Sequence, residues 1–160
     1  EDPQRKLVLL SYLNGNYTNY MKNRTHFHQV NFSLEILNTS RQDRQLYEYI
    51  VNKGSEEKVW QIQLEVYEPV SDPSIEILSW ALAEGSCNFT LNCTAERGDN
   101  ISYSWTCWGT NSSESWSYSG SFLQLSNLLQ NTSITCTCMA NNPVSRKLTT
   151  FSPSQCTHKQ

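Results

Sequence analysis

The stretch that decides the fold is Cys87-Asn-Phe-Thr-Leu-Asn-Cys93, followed by Ile101-Ser-Tyr-Ser-Trp105-Thr-Cys107 and Ile134-Thr-Cys-Thr-Cys138-Met-Ala140. Apolar residues occupy every second position in each. Cys87, Phe89, Leu91 and Cys93 therefore share one strand face, with Asn88, Thr90, Asn92 and Thr94 on the other. Ile101, Tyr103, Trp105 and Cys107 repeat the pattern, as do Ile134, Cys136, Cys138 and Ala140. Period-two runs separated by Gly, Asn and Ser clusters describe half-buried antiparallel strands, so the fold class is all-β.

The order Cys93…Trp105…Cys138 matches the immunoglobulin sandwich, in which a disulfide joins two sheets and a buried Trp packs against it. Closing that loop of about 45 residues stabilises the domain by about 4 kcal/mol in the chain-entropy account. Cys87 and Cys156 lie near opposite ends of the domain and suit a second bridge. Cys107 and Cys136 point inward by alternation, on strands that neighbour each other in this fold, and are paired as a third. The competing use of cysteine is a metal site, since Cys136-x-Cys138 could chelate. The spacings fit no common zinc pattern and no His pair lies nearby, so neither metal nor cofactor is expected.

Outward from this half, the chain of 160 residues has room for two small domains. Tyr67-Glu-Pro-Val-Ser-Asp-Pro73 carries two prolines and separates a cysteine-free half from one holding all six cysteines. The expected division is 1–69 and 70–160. In the first half Phe32, Leu34 and Ile36 alternate with polar neighbours, as do Trp60, Ile62, Leu64 and Val66. Between them runs Asp43 to Val51, then a turn at Asn52-Lys53-Gly54-Ser55. Arg24 and Asp43 are placed like the ion pair that closes the bottom of variable-type domains; the alternative for Arg24 is a solvated loop charge.

Nine Asn-x-Ser/Thr triplets occur, at Asn16, Asn23, Asn31, Asn38, Asn88, Asn92, Asn100, Asn111 and Asn131. Chance would give about three in a chain with this much Asn, Ser and Thr. The excess points to N-linked glycans, the secretory pathway and an extracellular location. A formal charge of −3 offers no basis for nucleic-acid binding. No apolar run approaches the roughly 18 residues of a spanning helix. With no signal-like segment at its start, the chain reads as a mature or trimmed ectodomain. An enzyme would need a nucleophile–base constellation. His26 and His28 flank Phe27, His158 lies at the tail, and no activated Ser or Cys accompanies them.

Cys87-Asn-Phe-Thr-Leu-Asn-Cys93, Tyr103-Ser-Trp105, Asn142-Pro-Val-Ser145 and Cys156, in this order, resemble the SLAM family (signalling lymphocyte activation molecules). Glu56 to Val70 with Pro73-Ser-Ile-Glu-Ile77 looks closest to the CD-forty-eight antigen. Ala95 to Trp105 and Thr150-Phe-Ser-Pro153 look closer to SLAM itself. The resemblance implies two tandem immunoglobulin-like sandwiches: a variable-like domain without a disulfide, then a constant-2-like stalk with bridges. It further implies recognition of a family receptor ectodomain on an opposing immune cell, two-B-four-like, or homophilic pairing. The implied contact face bears strands C′, F and G: Lys6, Val8, Leu10, Glu48, Tyr49, Asn52, Lys53, Glu56, Glu57 and Lys58. The alternative for the charged tip is an ordinary solvated hairpin. Tyr47 and Trp60 read as packing residues, and Trp108 and Trp116 as cover for one end of the second sandwich.

Three departures from the family stand out. About 70 residues precede the linker where the family has about 100. Lys6-Leu-Val-Leu-Leu10 aligns with strand C′, so strands A to C are expected to be missing, leaving a shortened domain rebuilt by its first 20 residues or completed by a partner chain. Cys136 stands where a tyrosine corner is usual. The mixed resemblance suits a diverged relative, with a viral or soluble decoy of the same fold as the alternative function.

Overall fold

Cys93 and Cys138 are disulfide-bonded across two facing sheets, and Trp105 lies wholly buried beside them. The structure, a computed structural model, describes residues 5–109, 113–129 and 134–153. Its contacts divide the chain into two compact units, one ending at Val66 and the other beginning at Tyr67.

In the second unit, β7 (Ser74–Ala83), β8 (Ser86–Thr94) and β11 (Phe122–Leu129) form one sheet in the order β11-β8-β7. β9 (Ser102–Gly109), β10 (Ser115–Ser119), β12 (Ile134–Asn141) and β13 (Arg146–Phe151) form the other, ordered β10-β9-β12-β13. Every pairing is antiparallel. This is an all-β immunoglobulin-type sandwich, with the first Cys of its inter-sheet bridge on β8, the Trp on β9 and the second Cys on β12.

The period-two pattern sets its core. Cys87, Phe89, Leu91 and Cys93 of β8 are buried, and so are Ile134, Cys136, Cys138 and Ala140 of β12. Leu123 and Leu125 close the cluster from β11. Trp105 Nε1 donates to the Ser121 carbonyl at 3.0 Å, and the Cys93 N–H donates to the same oxygen at 3.0 Å. The indole is thus fixed both by packing and through its one polar atom. Cys107 and Cys136 face each other in register on β9 and β12 and are bonded. Cys156 lies outside the described residues, so the Cys87–Cys156 bridge remains an expectation.

Asn142, after β12, ties the unit's loops together. Its Nδ2 donates to the carbonyls of Glu68 at 2.7 Å and Asp99 at 3.0 Å. Its Oδ1 accepts from the N–H groups of Val144 and Ser145 and lies 2.9 Å from the Ser145 hydroxyl. Ser145 Oγ in turn accepts from the Val70 N–H at 2.8 Å. A buried carboxamide whose two ends are both satisfied is expensive to remove, because its partners stay behind unpaired. Nearby, Gly98 adopts φ +135°, and a Cβ there would meet Val70 Cα at 3.0 Å. Only glycine suits that approach.

The described residues of the first unit form three antiparallel hairpins and a 3-10 turn at Arg41–Asp43. β1 (Leu10–Leu13) and β2 (Asn16–Asn19) turn at Asn14-Gly15, with φ of +50° and +81°. Asn-Gly adopts this left-handed pair cheaply, which suits a tight hairpin. β3 (Thr25–His28) pairs with β4 (Ser33–Ile36), and β5 (Leu46–Lys53) with β6 (Glu56–Gln63). Among the described residues these remain separate two-stranded sheets, with no strand joining β1 to β5 or widening the β3–β4 pair.

Two local expectations change. Phe32 precedes its strand, at φ +58°, because the Asn31 side chain accepts from the Ser33 N–H and turns the chain there. β6 ends at Gln63, short of Leu64 and Val66. Among the described residues of this unit, the buried side chains are Thr25 and Phe27. Phe27 sits among Tyr17, Phe32 and Tyr12, with centroid distances of 4.9, 6.1 and 6.5 Å.

Asn142→Ala is expected to destabilise the second unit by about 3 kcal/mol. Urea unfolding of the full chain, followed by Trp fluorescence, measures it; a loss below 0.5 kcal/mol would contradict the role given to this side chain.

Candidate recognition surface

The β5–β6 hairpin carries most of the residues expected to make contact. Its sequence suits the form: Tyr, Ile, Val and Trp favour a pleated ribbon, and Gly54 at φ +62° permits the reversal. Lys53 pairs with Glu56, Asn52 with Glu57 and Val51 with Lys58, which gathers the tip charges on one exposed loop end. Cross-strand, Tyr49 and Trp60 meet at 5.8 Å. They remain 48% and 51% exposed, so Trp60 covers Tyr49 but is not a core residue.

The base of the hairpin is held electrostatically. Arg24 Nη2 donates to Asp43 Oδ2 at 2.7 Å, so the ion pair forms. Arg24 Nε also donates to the Leu37 carbonyl at 3.2 Å. The Ser40 N–H donates to the same carboxylate oxygen at 2.8 Å. That backbone bond, helped by Arg24 and opposed by partial burial, holds the Asp43 carboxyl below its ordinary value of 3.8. Tyr47 donates its hydroxyl to the Asp43 carbonyl at 2.8 Å, the tie expected of a structural tyrosine. Burial, then the Asp43 charge, pushes that hydroxyl above its ordinary value of 10.0.

Lys6 reaches Glu48 at 2.9 Å. The Lys6 hydrogen bond first, and then the one from Gln61 at 3.1 Å, hold the Glu48 carboxyl below its ordinary 4.5. Lys6 thus packs on the hairpin that also carries Tyr49 and the tip residues Asn52, Lys53, Glu56, Glu57 and Lys58, with Glu48 and Tyr49 on opposite faces of the ribbon. Val8 is exposed and Leu10 opens β1, which pairs with β2 and not with β5. A continuous C′-F-G sheet face is thus not formed among the described residues. Trp108 and Trp116, read from the sequence as cover for one end of the second sandwich, lie on β9 and β10 and are 37% and 44% exposed.

The glycan acceptors Asn16, Asn23, Asn31, Asn38 and Asn100 are exposed, and Asn88 and Asn92 are partly exposed on β8. Asn111 and Asn131 lie outside the described residues. Among the described residues, no three His, Cys, Asp or Glu side chains are grouped to hold a metal ion. Nor is any described helix long and apolar enough to cross a membrane. The aromatic cluster at Phe27 and the Asn142 knot escaped the sequence reading. The Asn14-Gly15 dipeptide was the available signal for the first hairpin.

No family model matches the chain. It is 32% identical to the signaling lymphocytic activation molecule of Canis lupus familiaris, over 96% of this chain and 45% of that protein. The Mus musculus protein of the same name is 31% identical over 98% of this chain and 46% of its own length. SLAM family member 7 of Homo sapiens is 28% identical over 80% of the chain. The chain thus spans about half the length of the curated relatives it matches. The structure of an amphioxus IgVJ-C2 molecule covers 90% of this chain and 81% of its own, at 19% identity and a TM-score of 0.47, too distant to carry an argument.

Asp43 titrates lower in the folded chain than in the unfolded one. Its stabilising contribution is therefore fully present above pH 3.8 and disappears as pH falls through the depressed folded value. Asp43→Asn should lower stability at pH 7 and remove part of the acid-induced loss. Unfolding midpoints of both proteins between pH 2 and 7 test this; parallel curves would contradict it.

Proposed function

The chain belongs to the signalling lymphocyte activation molecule family of the immunoglobulin superfamily, and from that premise we propose that it works by recognition, docking on a family ectodomain and performing no chemistry. The observation that carries this reading is the pair of relatives at 32% and 31% identity, which run along nearly the whole chain and not along one motif.

In this reading residues 1–69 are the variable-like, ligand-binding domain, and residues 70–160 are the constant-2-like stalk. The partner is a SLAM-family receptor ectodomain on an opposing immune cell, two-B-four-like, or a second copy of the chain. Contact centres on the β5–β6 hairpin, its tip from Asn52 to Lys58, and the Lys6–Glu48 pair beside it. Half-exposed Tyr49 and Trp60 supply apolar area next to charge, and aromatic side chains with that exposure are the commonest anchors at such interfaces. The mixed charges Lys53, Glu56, Glu57 and Lys58 steer approach and fix register more than they add affinity. The chain faces the extracellular space and carries N-linked glycans on its Asn-x-Ser/Thr acceptors.

Surface-binding measurements against immobilised ectodomains of the family, this chain included, are expected to give at least one interaction with Kd at or below about 10–100 μM, the range of weak transient contacts. Glu56→Ala, Glu57→Ala and Lys58→Ala together should then slow association by about three- to ten-fold while leaving dissociation nearly unchanged. Silence across the whole panel would overturn the reading. An unchanged on-rate would move contact away from the tip.

A further inference from the structure

The outer face of the β11-β8-β7 sheet places a bare aromatic ring against a glycan acceptor. On β8 the inward residues Leu91 and Cys93 are buried, so Asn92 between them faces outward, as its partial exposure agrees. In register, Asn92 lies directly opposite Phe122 of β11 on one side and Glu76 of β7 on the other. Phe122 is 63% exposed, whereas Leu123 beside it in sequence is buried. The ring therefore stands mostly outside the core, and covering it would remove apolar area from water.

The Asn92 carboxamide has a matching peculiarity. Its Oδ1 is buried without a hydrogen-bond partner. Of the two ends of the amide it is thus Nδ2 that is left for the solvent side, the atom to which an N-linked sugar attaches. Asn92-Cys93-Thr94 is one of the acceptor triplets. Side chains directly opposed on antiparallel strands have Cβ atoms about 4.5–5.5 Å apart. A pyranose on Nδ2 is then within reach of the Phe122 ring, and the C–H groups on one sugar face meet the electron-rich face of the aromatic.

We propose that Asn92 carries an N-linked glycan whose first N-acetylhexosamine lies on the Phe122 ring and stabilises the second unit. In its attachment an oligosaccharide diphosphate donor meets Nδ2. The Nδ2–C1 bond forms as the C1–O bond to the diphosphate breaks, the diphosphate leaves with the bonding pair, and the amide proton passes to base. The sugar acts here as an apolar cover supplied after synthesis, replacing packing that the sheet's outer face lacks. The inference rests on the secretory, glycosylated reading given above and adds to it a specific site, contact and effect.

The test uses the full chain secreted from mammalian cells. Enzymatic glycan release in oxygen-18 water, followed by peptide mapping, is expected to mark Asn92 as occupied. Thr94→Ala, which removes the acceptor, should lower the Tm by about 3–8 °C, and Phe122→Ala should lower it similarly. The double variant should lose little more than either alone, since both changes remove one contact. Should Thr94→Ala fail to fold, trimming the unmutated glycoprotein with endoglycosidase to one sugar per site is expected to retain the Tm, and Phe122→Ala should still lower it. A bare Asn92 beside other occupied acceptors, or strictly additive losses, overturns this inference and leaves the recognition reading standing. A chain bare at every acceptor overturns the inference and the secretory reading together.

Discussion

The Cys93–Cys138 bridge, with Trp105 packed beside it, is the constraint on which the rest of the structure depends. A small two-sheet domain buries too little surface to be comfortably stable by packing alone, and a covalent tie across its layers removes entropy from the unfolded chain. Once those two sulfurs are joined, β8 and β12 must present their odd-numbered and even-numbered apolar residues, respectively, to the same interior. The register of the neighbouring strands follows, because a slip of one residue would turn each hydrophobic set toward water. The Ser121 carbonyl, shared by the Trp105 indole and the Cys93 amide, extends the same constraint to the start of β11.

The first unit solves the same problem without a covalent tie, and it does so sparingly. Among its described residues the buried side chains are Thr25 and Phe27, and its hairpins are stabilised by polar closures: Arg24 with Asp43, Tyr47 with the Asp43 carbonyl, and Lys6 with Glu48. Exposed pairs of this kind contribute little individually. Tyr49, Trp60 and Ile62 consequently stay at the surface, where a stable free-standing domain would hide them. The features that make this unit a meagre core also give it adhesive chemistry, an aromatic ribbon beside a mixed-charge tip.

What could be read in the sequence follows from which forces leave a periodic trace. Burial of alternate residues does, so the strands around Cys87, Trp105 and Cys136 were legible, and so were the pairings of Cys93 with Cys138 and Cys107 with Cys136. The Arg24–Asp43 pair was visible only because its spacing has a known counterpart. Hydrogen-bond knots leave no such trace: Asn142 joins Glu68 and Asp99, residues remote in sequence, through a side chain that could equally have faced water. Phe32 misled for a related reason. Its apolar character extended the alternation of Leu34 and Ile36, while the neighbouring Asn31 side chain bent the backbone into a turn. The separation of β1 from β5 depends on which strands surround them, and a strand pattern says nothing about its neighbours.

Non-reducing peptide mapping of the full chain by mass spectrometry probes that bridge. A cross-linked peptide pair joining Cys93 to Cys138 is expected, and either sulfur found as a thiol or bonded to a different cysteine would overturn the fold described above.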